Sequence, residues 1–254
     1  MIIVIAINNL MQIAQPAYAN HSQFWYRLGK TMPEHQFIFF NPQRMSIDNM
    51  RNEAARIAIE AEADYLIFLD DDVLVPMDGL EKLISSDFSI TAGVTLIRGY
   101  PYYPMLFDFH TDPECHYIVN WKERYGDFNG IGPENYDANV SAPCCAVGFS
   151  FCAISVETLK AVSKPYFMTG PNFTEDVFFC QKVNRELGEG FIGYRKDVET
   201  AHILGLDVIT PEIRKHRIAF DEACDPDLKK KKDAVDRGED YYKMIAGLVN
   251  ANEA

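Results

Sequence analysis

The sequence predicts an α/β chain: one domain with a mostly parallel central sheet flanked by helices, plus a smaller antiparallel hairpin region. Three observations predict it. Apolar runs recur at Ile2–Ile7, Tyr65–Leu69 and Ile90–Val94, as expected of strands covered on both faces. Helical patterns separate the first of these runs, and strand–helix–strand alternation implies parallel pairing through right-handed crossovers. From Arg98 to Val140 the chain turns to Tyr, Pro, Asp and Gly with only short alternations, such as Met105–Phe109 and Tyr117–Trp121. That stretch predicts hairpins and loops rather than a second domain.

Each element has a local reason. Ile2–Ile7 is apolar and mostly β-branched, and polar Asn8 and Asn9 end it. A helix is expected over about Ala17–Lys30. A short strand at Phe37–Phe40 closes at Asn41-Pro42. Ser46 reads as a helix N-cap, because Ile47, Met50, Ala54, Ile57 and Ala61 follow at spacings of three and four, which is one buried helix face. Arg51 and Asn52 lie off that stripe. The strand Tyr65–Leu69 then runs straight into Asp70-Asp71-Asp72. A short helix spans Gly79–Ser85. Apolar order resumes at Ala146–Ile154, with a helix over Val156–Val162. Another helix starts near Thr174 and stops at Leu187-Gly188, where glycine terminates it. Gly190–Tyr194 reads as a strand. The domain is placed at residues 1–210, with a helical C-terminal tail over 211–254 that packs on it or extends from it.

Composition bounds the function. The 254 residues are 48% hydrophobic with a net charge of −13. So acidic a chain lacks the basic face that broad nucleic-acid binding needs. It can still take a phosphorylated ligand through a divalent cation, which inverts the local sign. No run approaches the roughly 20 apolar residues of a membrane span, and Met1–Ile7 has no basic flank of a signal peptide. The cytoplasm is the expected compartment. None of the six cysteines forms a CxxC pair, so buried free thiols are expected rather than zinc ligands or disulfides. Lys229–Lys232 is flanked by Asp225, Asp227 and Asp233 and reads as a solvated helical face.

Three constellations carry chemistry. Adjacent Asp70, Asp71 and Asp72 repel one another unless something neutralises them, and carboxylate oxygens suit Mn²⁺ or Mg²⁺. In parallel sheets ligands bind beyond the carboxyl ends of strands, where these aspartates fall. The competing reading is an acidic solvent-exposed turn. Glu175-Asp176 opens a helix, which the macrodipole alone would explain. His202 is a lone histidine, structural or a metal ligand. Asp108, His110, Asp112 and Glu114 alternate as on the wet face of a hairpin. Tyr100, Tyr102, Tyr103, Trp121 and Tyr125 are either an aromatic acceptor platform or core.

The order of these features resembles a GT-A fold nucleotide-sugar glycosyltransferase, similar to the family 2 group. It runs from Arg51-Asn52 on a helix to Leu-Asp-Asp-Asp-Val, which holds a DXD-type motif. Ala146–Phe151, Thr-Glu-Asp-Val-Phe-Phe and a downstream histidine follow. The resemblance covers about residues 2–205. It implies a metal-dependent transfer of a sugar from a nucleotide-diphosphate donor to a hydroxyl acceptor. Asp70 would contact the ribose or the metal. Asp72 and His202 would ligate Mn²⁺ or Mg²⁺, and Asp71 is a neighbour in the donor-binding run. Arg51 would approach the nucleotide, Asn8 the base, and Gly148 the sugar pocket. Asp176, with Glu175 as the second candidate, would be the base of an inverting transfer. The Tyr-Asn-Arg-like and Asp-Asp-Gly-Ser segments of family 2 are replaced by Ile7–Leu10 and Phe40–Pro42. The Gln-xx-Arg-Trp element of processive enzymes is missing, which implies single transfers. The alternatives are a metal-dependent nucleotidyltransferase or phosphohydrolase at the same aspartates, or a non-catalytic binding protein that kept the fold.

Overall fold

A computed structural model describes residues 1–8, 13–42, 45–109, 115–117, 141–170, 173–204 and 207–236. The elements run β1 (Ile2–Asn8), α1 (Gln15–Thr31), β2 (Gln36–Phe40), α2 (Ile47–Glu60), β3 (Tyr65–Asp70), β4 (Val73–Leu74), α3 (Gly79–Ile84), β5 (Ile90–Val94), β6 (Leu106–Phe109) and β7 (Cys115–Tyr117). They continue with β8 (Ser141–Pro143), β9 (Ala146–Val147), β10 (Phe151–Ser155), α4 (Val156–Ala161), α5 (Glu175–Leu187), β11 (Ile192–Glu199), β12 (Ala201–Leu204), β13 (Asp207–Ile209), α6 (Arg214–Cys224) and α7 (Pro226–Asp236).

A seven-stranded sheet in the order β2-β1-β3-β10-β5-β11-β8 forms the centre. β2, β1 and β3 are mutually parallel. β10 runs antiparallel between β3 and β5, so β5 and its parallel neighbour β11 share the direction of β3. β8 runs against β11 at the edge. Two three-stranded antiparallel sheets, β13-β12-β4 and β7-β6-β9, sit beside it. This is the fold class that the sequence predicts.

The sheet is buried on both faces, which is why its strands read as continuous apolar runs. Val4, Ala6, Leu66 and Phe68 pack with Ala54, Ala55 and Ala58 of α2 and with Val156 and Phe179 of α4 and α5. Ile3, Ile5, Ile67 and Leu69 face the other way, onto Phe24 and Leu28 of α1 and Leu80 and Leu83 of α3. The alternation of strand side chains sorts the two layers. Ser46 is the N-cap of α2 and Thr174 that of α5, and α5 ends at Gly188 with φ +94°.

Two boundaries differ from expectation. The strand read at Gly190–Tyr194 is β11, which extends to Glu199. Its charges do not stop it, because Arg195 is buried against Asp197 through contacts of 2.9 and 3.0 Å. The apolar stretch Ala146–Ile154 is divided between two sheets. At the break the Gly148 amide donates to Met105 O at 2.7 Å, and β10 begins in the central sheet three residues later.

The hairpin expected after Arg98 is β6 with β7, and β6 also pairs with β9. Tyr102 and Tyr103 are buried rather than lining an open platform. α6 covers their segment: Tyr100 donates to Glu222 at 2.7 Å, Tyr102 to Asp221 at 2.5 Å, and Arg214 Nε to Tyr102 O at 2.8 Å. Lys230 of α7 pairs with Asp227 at 2.8 Å. His110, Asp112, Glu114, Trp121, Tyr125 and the helical pattern through Tyr241, Met244 and Leu248 lie outside the described residues. Cys144, Cys145, Cys152, Cys180 and Cys224 are free thiols, and burial pushes Cys152 and Cys180 well above the ordinary thiol range. No helix of the described residues is long and apolar enough to cross a membrane.

Candidate functional site

β1 and β3 are adjacent and end together, so Asn8 and Asp70 fall opposite each other at the carboxyl edge of the sheet. Asn8 Nδ2 donates to Asp70 Oδ1 at 3.2 Å. The turn Asp71-Asp72 leads into β4, which pairs antiparallel with β12, with His202 opposite Val73. The Ile203 amide donates to Asp72 O at 2.9 Å. This short ladder brings a histidine 130 residues downstream onto the aspartate turn.

His202 is buried, and its Nδ1 lies 2.7 Å from Leu96 O. A carbonyl only accepts, so Nδ1 carries the proton. In the neutral ring Nε2 therefore presents a lone pair. That atom stands 3.4 Å from Asp72 Oδ1. A lone pair facing a carboxylate oxygen calls for a cation or a proton between them. An imidazole oriented by a carbonyl on its other nitrogen is the usual support of a metal ligand. The second oxygen, Asp72 Oδ2, forms an ion pair with Arg98 Nη1 at 2.9 Å.

Asp70 belongs to a different network. Arg51 approaches its Oδ1 at 3.7 Å, donates from Nε to Glu175 Oε1 at 2.8 Å and from Nη1 to Phe149 O at 3.3 Å. The guanidinium lies over the rings of Phe68 and Phe149, at 4.7 and 5.4 Å from their centroids. Arg51 is 3% exposed. It lies off the apolar stripe of α2, yet it is enclosed, because carboxylates and aromatic faces satisfy it. Thus it sits beneath Asp70 and ties β3 to the start of α5.

At that start Glu175 is buried against Arg51. Asp176 is half-buried, and its Oδ1 accepts from the Thr174 hydroxyl and from the Val177 amide. Gly148 packs tightly on Met105: a Cβ there would lie 2.7 Å from Met105 Cβ.

The electrostatics follow from crowding. Burial raises the Asp70 carboxyl above the usual range, with Arg51 pulling it back and Asp72 adding to the rise. Asp71 is pushed up to about 6 by burial and by both neighbours. At Asp72 burial also pushes up, but His202 and Arg98 outweigh it and the carboxyl titrates below its ordinary value. Burial raises Glu175 as well, against Arg51. The excess acid therefore sits on Asp70 and Asp71, while Asp72 is the anion ready to meet a cation.

The fold brings together Asn8, Arg51, Asp70, Asp71, Asp72, Glu175, Asp176 and His202. Among the described residues no three His, Cys, Asp or Glu side chains converge closely enough to hold an ion by themselves. Asp72 with His202 makes a two-ligand set, to which a ligand's phosphate oxygens and water would have to add. Arg98 is the site residue that sequence reasoning missed. It reaches Asp72 from a loop with no periodicity or motif to mark it.

No family model matches the chain, and no curated protein matches it in sequence. Among solved structures, the protein A197 from STIV is similar at a TM-score of 0.53 and 17% identity, over 84% of this chain and 91% of that one. A glycosyltransferase involved in glycosylation of the major capsid of PBCV-1 matches over 85% of this chain and 98% of its own, at 12% identity and a TM-score of 0.38. A 4-diphosphocytidyl-2C-methyl-D-erythritol synthase from Anaerococcus prevotii covers 86% and 95%, at 8% identity and a TM-score of 0.43. The likeness to the first is one of fold, and the other two are too distant in shape to carry an argument.

Proposed function

We propose that the chain is a metal-dependent glycosyltransferase of GT-A type, family 2-like, moving a sugar from a nucleotide-diphosphate donor to a hydroxyl acceptor in single transfers. The cytoplasm is its proposed compartment. One observation carries the reading: beyond the carboxyl end of β3, buried His202 is held at Nδ1 by Leu96 O and turns its Nε2 toward Asp72 Oδ1, 3.4 Å away. A carboxylate and an imidazole suit Mn²⁺ or Mg²⁺. Such an ion, when bound, stabilises the charge that builds on a leaving diphosphate.

The chain's own residues take the remaining tasks. Asp72 and His202 hold the cation. Asp70, fixed by Asn8 and Arg51, receives the ribose. Asn8 borders the base, and Asp71 and Gly148 border the donor pocket. Arg51 serves the donor at one remove by orienting Asp70. Asp176 takes the proton of the acceptor hydroxyl as it attacks. Its Oδ1 is engaged by Thr174 and Val177, and Oδ2 is left to accept. Glu175 is committed to Arg51, which favours Asp176 over it.

Thermal-shift measurements with UDP-, GDP- and CMP-sugars, with and without Mn²⁺, test the proposal. A donor bound well below its working concentration stabilises the fold, and only in the presence of metal. No stabilisation by any of them would remove the reading. Release of pyrophosphate from a nucleoside triphosphate and a sugar phosphate would instead establish a nucleotidyltransferase at the same aspartates.

A further inference from the structure

Arg98 is mounted unlike the other side chains of the site. Its backbone neighbours are fixed: Leu96 O holds His202, the Ile97 amide donates to Tyr103 O at 2.9 Å, and α6 pins Tyr102. Its side chain is 63% exposed, whereas that of His202 is 8% exposed. The long guanidinium arm therefore projects into solvent from a fixed root. Its contact with Asp72 is an exposed ion pair, of the kind that contributes little to stability and breaks readily.

Both oxygens of Asp72 are already addressed, Oδ1 by His202 and Oδ2 by Arg98. A divalent cation arriving at Asp72 meets the guanidinium as a like charge competing for the same carboxylate. Meanwhile a planar guanidinium fits a pair of phosphate oxygens better than any other side chain does. A phosphate carried in on that cation would arrive beside the arm it displaces.

We propose that Arg98 is a two-position ligand. It occupies Asp72 in the empty site and moves to the donor's diphosphate when a divalent cation takes the carboxylate. This rests on the donor-site reading above. It makes Arg98 an antagonist of the metal alone and a partner of the metal with its diphosphate.

Calorimetric titration of Mn²⁺ alone, and of premixed Mn²⁺ with inorganic pyrophosphate, tests this on the wild type, Arg98→Ala and Arg98→Lys. Arg98→Ala should bind Mn²⁺ about three- to tenfold more tightly, since a competing charge is gone. It should bind the Mn²⁺–pyrophosphate mixture about ten- to a hundredfold more weakly, the loss of a charged hydrogen bond. Arg98→Lys should keep the wild-type Mn²⁺ affinity and recover part of the pyrophosphate affinity. If Arg98→Ala shifts both affinities in the same direction, or shifts neither while the wild type binds both, the two-position ligand is overturned and the donor site stands. A wild type that binds neither probe overturns both.

Discussion

At Asp72 one carboxylate is shared between a buried imidazole and an exposed guanidinium, and the consequences are measurable one side chain at a time. Asp72→Ala should abolish Mn²⁺-dependent nucleotide binding by calorimetry, while the far-ultraviolet spectrum stays as it was. Unchanged binding would remove Asp72 as a ligand. Arg51→Ala should behave in the opposite way, as a stability variant first. It strands buried Glu175 with no cation, and breaking a buried pair costs about 3–5 kcal/mol, readable in urea. Arg51→Lys should restore only part, because a point charge cannot serve Glu175, Phe149 O and Asp70 as a planar fork does. His21 makes a pH prediction. Burial lowers its pKa from 6.5, and its contact to Val73 O opposes this only partly. The unfolded chain therefore takes up a proton near pH 6.5 that the folded chain refuses. Stability should hold above that pH and decline as pH falls below it. His21→Gln keeps a donor for Val73 and should flatten that slope between pH 7 and 5; a slope that persists would assign it elsewhere.

Elements meet at tolerances the sequence does not advertise. β5 and β11 change register between Arg195 and Glu199, and Gly93 lies against that irregularity. A Cβ on Gly93 would lie 2.9 Å from Val198 Cγ1 and 2.9 Å from Val198 O. A rotamer change moves the side chain aside, but the carbonyl is backbone. Gly93→Ala should therefore destabilise by about 1–3 kcal/mol, measured by denaturant unfolding. A neutral result would mean that the strands re-register freely. At the other end α6 holds the segment that follows Arg98. A variant combining Tyr100→Phe, Tyr102→Phe and Arg214→Ala should raise amide exchange over residues 97–103, where few other bonds hold the backbone. Unaltered exchange there would show that α6 is only a neighbour.

Over the whole molecule, what could be read in the sequence was whatever depends on short-range pattern. The buried strands, the α2 stripe and the Thr174 cap follow from period and local chemistry, and the aspartates follow from their place at a strand end. Three features depended on long-range pairing and left no local mark. β10 enters the middle of the sheet antiparallel, because it pairs with β3 and β5, strands well upstream of it in the chain. Arg51 is buried because Glu175, 124 residues away, receives it. Arg98 belongs to the site because α6 and His202 anchor its loop. The assembled site draws on residues from Asn8 to His202, so metal binding and secondary structure should be lost in one urea transition. Two separated transitions would show a site that survives on a fragment. The late insertion of β10 carries a consequence for biosynthesis. A chain emerging from the ribosome can pair β1, β2 and β3 early, but their edge waits open until residue 155 has been made, and Asp72 and His202 cannot meet until residue 202 has been made. A ligand of the assembled site therefore cannot act as a folding template on the nascent chain and protects only finished molecules.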